Sequence, residues 1–176
     1  MLLEDVMPTN LHHAQEYIRQ QLSPAVLAPN AGEDAARSAI HFVSTIEEAV
    51  READLAIDCV PDELESKLEI LWLLDRMAPP RTVLATPTTR LSIIDLAGCT
   101  YRAEKCVAIV AEARGLAENP ASEILLRTTP QTSQETIALV EAFWKQLGFS
   151  PRFELGLEPA FALASLAQPA LPRTDS

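Results

Sequence analysis

Three short apolar runs, AIHFV, DLAIDCV and RTVLAT, each give way to a stretch of helical periodicity. Runs this short suit strands buried on both faces. A strand–helix alternation threads such strands into a mostly parallel sheet with helices packed on its faces. An α/β fold follows, and in such sheets ligands bind beyond the carboxyl ends of the strands. The stretch DLAIDCVPDELESKLEIL places Asp58, Asp62 and Glu63 at one of these ends.

Around that frame the spacing predicts further elements. MLLEDV is a short apolar start, and NLHHAQEYIRQQL puts Leu11, Ala14, Ile18 and Leu22 on one helical face, with Thr9 or Asn10 as cap. Residues 23–36 read as a loop or a loose second helix. STIEEAVREA opens with a capping box from Ser44 to Glu47. After the buried strand DLAIDCV, a helix starts at Asp62, where Glu65 completes a reciprocal cap. Leu64, Leu68 and Leu71 form its apolar stripe, Glu63 pairs with Lys67 one turn on, and Pro79 and Pro80 stop it. RTVLAT and KCVAIVA are strands separated by a short helix at 91–97, and SEILLRT reads as another strand. TSQETIALVEAFWKQLG carries a capping box (Thr132, Glu135), a stripe of Ile137, Val140, Phe143 and Leu147, and a terminating Gly148. From Pro151 onward a strand gives way to a Pro- and Ala-rich tail.

Charge and cysteine usage narrow the function classes. With 176 residues the chain suits one domain with a substantial core. Its 25 acidic and 14 basic side chains leave a net charge of −11. That excess repels phosphate backbones and anionic lipid, and argues against nucleic acid or a membrane as partner. Cys59, Cys99 and Cys106 form no C-x-x-C pair, so a reducing compartment without a disulfide framework is expected, with structural burial as their role. No apolar run approaches the length of a bilayer, and the acids of MLLEDVMPTN do not fit a signal peptide. A cytoplasmic location is the expectation.

STIEEAVREADLAIDCVPDELESKLEIL resembles the middle of the NAD-binding domain of 3-hydroxyacyl-CoA dehydrogenases, where T-D-L-E-E-A-V…A-D-L-V-I-E-A-V-P-E-D…K is typical. RTVLATPTTRLSI is similar to the family's next strand and its S-N-T-S-S-L-S-I turn. EKCVAIVAEARG stands where E-R-V-V-G-L-H-F-F-N-P would, and TPQTSQETIALVEAFWKQLGFSP resembles the T-S-E-E-T…G-K-T-P helix. The likeness is most specific from Ser44 to Lys67. It implies a Rossmann-like NAD-binding domain over residues 1–166, with 167–176 as a flexible tail. MLLEDV would be the second strand of that fold, its terminal acid, Glu4 or Asp5, placed to bond the adenosine ribose. Asp62 and Lys67 match positions near the cofactor, although Asp62 makes a good helix cap with or without a ligand.

The resemblance further implies a fold lacking its first βα unit. The G-x-G-x-x-G turn, which brings backbone N–H groups and a helix N-terminus to the pyrophosphate, has no counterpart among Gly32, Gly98, Gly115, Gly148 and Gly156. NAD is the implied cofactor, here without its dominant anion-binding element. In the strand order 3-2-1-4-5-6 that unit is central. A strand shift, a homo-oligomer, a strand-donating protein partner or sequence upstream would have to supply its place.

In the family a His oriented by a carboxylate takes the proton from the substrate hydroxyl while hydride leaves for the nicotinamide. Thr89 matches the turn's serine, and unbroken spacing from it puts Val110 at the His and Ala113 at the following Asn. The orienting Glu falls at Ser122 or Glu123, PAFALAS places Ala164 and Ser165 at a later Asn and Arg, and Pro87 takes the turn's own Asn. Thr89 and Glu123 are then remnants, and no catalytic residue is left. Two functions are expected: a family member without dehydrogenase activity, or a non-enzymatic interaction or dimerisation module built on the remnant fold.

Other constellations are weaker. His12 and Glu16 are one helical turn apart but show no third metal ligand, and the adjacent His13 points about 100° away. His41 alternates with apolar neighbours on a strand, where a half-exposed role suffices. Ser92, Ser133 and Ser165 lack a G-x-S-x-G context. Trp72 and Trp144 lie on amphipathic helices, where core packing is expected.

Overall fold

The structure, a computed structural model, describes residues 1–21, 40–111 and 123–156. The expected loop at 23–36 and the tail beyond 156 lie outside the described residues. Contacts divide the chain into two units, Met1–Asp54 with Arg76–Thr82, and Leu55–Asp75 with Val83–Ser176.

In the first unit β1 (Leu2–Glu4) pairs in parallel with β2 (His41–Val43), Leu3 opposite Phe42. Helix α1 (Pro8–Gln21) follows β1, and α2 (Ile46–Val50) packs against both strands. Pro8 opens α1, a position where its missing N–H costs nothing. The cap is neither Thr9 nor Asn10. Asp5 closes this end instead, its Oδ1 accepting the Met7 N–H at 2.7 Å and its Oδ2 the Asn10 side-chain N–H at 3.0 Å. Helix α2 is capped by Thr45, one residue later than expected, whose hydroxyl accepts the Glu48 N–H at 3.3 Å.

The second unit holds β3 (Leu55–Ile57), α3 (Leu64–Met77), β4 (Val83–Pro87), α4 (Ile93–Ala97), β5 (Cys106–Ile109), β6 (Glu123–Thr128), α5 (Gln134–Gln146) and β7 (Ser150–Leu155). Its five strands lie in the order β3-β4-β5-β6-β7, parallel throughout except between β5 and β6. One face of the sheet presents Val83, Ala85, Val107, Ile109, Ile124 and Leu126 to Val140 and Trp144 of α5. Trp144 meets Phe143 and Phe149 edge-on, with ring centroids 5.2 and 5.3 Å apart. Ser133 caps α5 by accepting the Thr136 N–H at 3.1 Å. The expected cap, Thr132, accepts the Thr129 N–H instead. Gly148 ends the helix region with φ of 87°.

Four expectations change around α3. β3 is an edge strand of three residues with Ile57 exposed, since among the described residues it pairs with β4 alone. α3 begins at Leu64 rather than Asp62, since the Asp62 carboxylate is taken by the β4–α4 turn. The buried line of α3 is Lys67, Leu71 and Leu74, and Leu64 is 44% exposed. Lys67 pairs with Asp58, not with Glu63. Trp72 is likewise exposed, so core packing holds for Trp144 alone of the two tryptophans.

Candidate functional site

The carboxyl ends of β3, β4 and β5 meet two short connections, residues 58–63 and 88–92. The Asp58 N–H donates to the Ala85 carbonyl at 3.2 Å, and the Thr88 N–H donates to the Ile109 carbonyl at 2.9 Å. These bonds carry the ladders past the strand ends. Thr88 also folds the turn, its hydroxyl accepting the Leu91 N–H at 3.0 Å. Ser92 then caps α4 by accepting the Asp95 N–H.

Asp62 ties the two connections together. Its Oδ2 accepts the Thr89 N–H at 3.1 Å and lies 3.5 Å from the Thr89 hydroxyl. Arg90 donates to the Asp62 carbonyl at 2.8 Å, its guanidinium 4.0 Å from the carboxylate. Burial pushes the Asp62 carboxyl up. The Thr88 hydroxyl, the Thr89 N–H and the charges of Lys67 and Arg90 together outweigh that and hold it below its usual range. Its other oxygen, Oδ1, is buried without a hydrogen-bond partner among the described residues.

Lys67 sits one turn into α3, its side chain 1% exposed, and donates to Asp58 Oδ1 at 2.6 Å. The Asp58 side chain is fully buried. A cation at the expected cofactor position is therefore committed inward, to an acid one step beyond β3. Reading 64–77 by helical spacing reveals the reason, since Lys67, Leu71 and Leu74 stand at i, i+4 and i+7 on one face. A lysine on an apolar line needs a buried anion, and Asp58 supplies it.

Val110 follows β5 directly, its N–H bonded to the Leu125 carbonyl at 2.9 Å, with its side chain half-buried. Continuing the β5–β6 register (Ile109 opposite Leu126) puts Glu123 on the same sheet face as Val110, since residues of equal parity share a face. The Glu123 carboxylate is engaged by the Arg152 guanidinium at 2.5 Å. Ala113, Ser122, Ala164 and Ser165 lie outside the described residues.

In the first unit Glu4 ends β1 and Asp5 caps α1. Burial, then the neighbouring charge of Asp5, raises the Glu4 carboxyl above its usual value, and its Oε1 is buried without a partner among the described residues. An orphaned acceptor at a strand's carboxyl end fits a ligand hydroxyl, such as one of a ribose diol. His12 lies 3.6 Å from Glu16 on the exposed face of α1. No group of three or more His, Cys, Asp or Glu residues suited to a metal occurs among the described residues. Cys59 is exposed, contrary to the expected burial, Cys99 is half-buried and Cys106 is buried.

The model of the 3-hydroxyacyl-CoA dehydrogenase NAD-binding domain matches residues 1–151. The chain belongs to this family. It is 28% identical over 155 residues to a probable 3-hydroxybutyryl-CoA dehydrogenase of Bacillus subtilis, covering 80% of this chain and 50% of that protein. It is 26% identical over 153 residues to the mitochondrial hydroxyacyl-coenzyme A dehydrogenase of Sus scrofa, covering 84% and 48%. Among solved structures, the (S)-3-hydroxybutyryl-CoA dehydrogenase of Ralstonia eutropha superposes with a TM-score of 0.78 at 22% identity, covering 89% of this chain and 55% of that one. The chain spans about half the length of these relatives. The α/β architecture expected from the strand–helix alternation, and the Rossmann-like form implied by the resemblance, are those of the family. No helix among the described residues is long and apolar enough to cross a membrane.

Proposed function

We infer that this chain is a 3-hydroxyacyl-CoA dehydrogenase-like NAD-binding domain that engages the ribose of NAD through its strand-end acids and has no dehydrogenase activity of its own. The observation that carries this reading is Val110. An isopropyl group stands at the carboxyl end of β5, where the resemblance, counted by unbroken spacing from Thr89, puts the proton-accepting imidazole. Among the described residues near it, no group takes over the role. The hydroxyls of Thr88 and Thr89 are far too weak as bases at neutral pH. Asp62 is held ionised by the β4–α4 turn and is a poorer base for it. Loss of a general base alone slows such a step by roughly 10²- to 10⁴-fold.

NAD, when bound, supplies a hydride acceptor. The residues that would hold it are Glu4, through its orphaned Oε1, and Asp5, whose carboxylate also braces α1. Lys67, sealed against Asp58, offers the cofactor no hydrogen bond in this arrangement. Asp62 retains Oδ1 as an acceptor. A reducing cytoplasm suits the three unpaired thiols.

The test uses the purified chain in two assays. Titration calorimetry with NAD and NADH is expected to give saturable heat that Glu4→Gln weakens. A 3-hydroxyacyl-CoA with NAD is expected to give no NADH fluorescence above a protein-free control. Turnover at an ordinary dehydrogenase rate overturns the inactive reading, and absent heat overturns the NAD reading.

A second reading, an interaction module that accepts a strand from a protein partner or a second copy, draws on the edge of the five-stranded sheet. Ile57 of β3 is exposed there, and Val60, Pro61, Ile70 and Leu73 line a nearby apolar cavity of about 220 Å³. Exposed strand edges of this kind invite pairing. A monodisperse monomer at high concentration, with no partner retained on pull-down, removes this reading.

A further inference from the structure

The described residues contain five buried side-chain polar atoms without a hydrogen-bond partner, and three of them fall on one line across the second sheet: Asp58 Oδ2, Thr86 Oγ1 and Arg127 Nη1. The line is set by register. Ile57 lies opposite Ala85 and the Asp58 N–H bonds the Ala85 carbonyl, which sets Asp58 beside Thr86. Thr86 lies opposite Ala108, and Ala108 opposite Arg127. Alternation puts all four side chains on the sheet face opposite the one formed by Val83, Ala85, Val107 and Ile109. Lys67 reaches the same row from α3, and among the described residues its ammonium uses one of three donors, on Asp58 Oδ1.

Burying three such groups unsatisfied on one row is a cost a native interior rarely carries. Thr86 is 1% exposed and Asp58 5% exposed, so bulk solvent does not relieve that end of the row, while Arg127 is half-buried with its Nη1 covered. The smallest side chain of the row stands at its centre. Ala108 contributes only a methyl group, while the two strand spacings between Thr86 and Arg127 span about 9.6 Å.

The geometry points to an internal water site on this row. One water bridges Lys67 Nζ, Asp58 Oδ2 and Thr86 Oγ1, and further water over Ala108 continues the bridge to Arg127 Nη1. The ligand is neutral because the row repels either charge: Asp58 opposes an anion, and Lys67 with Arg127 opposes a cation. It must both donate and accept, since it meets N–H donors at the two ends and a carboxylate oxygen between them. Water has those properties and finds here the two to four polar partners a buried water needs. Its role is to pin the carboxyl ends of β3 and β4 to each other and to β6. The site is independent of whether NAD binds.

Thr86→Val tests the site, because valine keeps the shape of threonine and deletes only the hydroxyl. If water bridges the row, the variant strands a hydrogen bond, and the folding equilibrium constant from urea unfolding falls about 5- to 30-fold. If the hydroxyl is truly unsatisfied, removing it leaves the constant unchanged or raises it. A crystal structure of the whole chain at high resolution supplies the second readout. Density is expected within hydrogen-bond distance of both Thr86 and Asp58 in the parent and in Thr86→Ser, and absent in Thr86→Val. The inference stands only if both readouts agree with it. A dry row, or a valine variant as stable as the parent, overturns it.

Discussion

Replacing Lys67 with Met isolates the energetics of the Asp58–Lys67 pair. The methionine keeps the length and most of the volume of the lysine stem but leaves the Asp58 carboxylate, fully buried, without its cation. Stranding one partner of a buried ion pair typically costs about 3–5 kcal/mol. With a urea m-value near 2 kcal/mol per molar, that lowers the unfolding midpoint by roughly 1.5–2.5 M. A domain's entire stability is only about 5–15 kcal/mol, so the single variant has little margin. The double variant Asp58→Leu/Lys67→Met keeps the experiment decisive. It removes both charges together, and such replacements are commonly neutral or stabilising. The expected pattern is a large loss in the single variant and recovery in the double one, measured by urea denaturation followed by far-UV circular dichroism. A Lys67→Met midpoint within about 0.5 M of the parent, or a double variant no better than the single, refutes the claim that this pair is buried away from bulk solvent.

Other outcomes follow from the same geometry. Arg102→Lys is expected to destabilise by about 2–4 kcal/mol, because Arg102 bonds Asp75 Oδ1 at 2.7 Å and the Asp75 carbonyl at 2.5 Å, a two-point grip an ammonium does not reproduce; thermal unfolding checks it. Gly148→Ala places a β-carbon where φ is 87° and should cost about 1 kcal/mol, read from the same melts. The depressed Asp62 carboxyl adds stability that is intact above the ordinary aspartate value of 3.8 and is lost as pH falls through its lower native value. Asp62→Asn should therefore lower the urea midpoint at pH 7 and narrow the gap to the parent in strong acid. Burial pushes the Cys106 thiol up to about 11, so a thiol reagent at neutral pH should leave Cys106 unmodified in the native chain and modify it after unfolding, as mass spectrometry of labelled peptides can show.

The strand–helix alternation was legible because it depends on short-range patterning, and each run that read as a strand contains one. Cap positions slipped by one residue at Thr45 and Ser133, where two adjacent hydroxyl residues compete and local chain direction, invisible in the sequence, decides between them. Asp5 was legible as an acid at a strand end, but its second duty, closing α1 from outside the helix, depends on the turn through Val6 and Met7. Around α3 the departures share one cause. Sequence reading made Asp62 the start of the helix and paired Glu63 with Lys67 by proximity. The fold instead brings Thr89 to Asp62 across 27 positions and Asp58 to Lys67 across 9. Such partners are selected by strand register, which no local spacing records.

That register also explains why Asp62 and Lys67 resemble cofactor residues while holding the protein to itself. The carboxyl end of a parallel sheet gathers loop carboxylates, backbone N–H groups and helix starts into a narrow band. A ligand and the chain's own turns compete there for the same hydrogen bonds. Asp62 gives one oxygen to the Thr89 turn and keeps one; Lys67 faces entirely inward; Glu4 keeps an acceptor. On the proposed reading, recognition draws on the oxygens that the turns leave over within each unit, and proton transfer fails for a separate and local reason, the aliphatic side chain of Val110. That reading makes binding and chemistry separable: Glu4→Gln is expected to weaken NAD binding in a calorimetric titration, whereas position 110 bears on proton transfer.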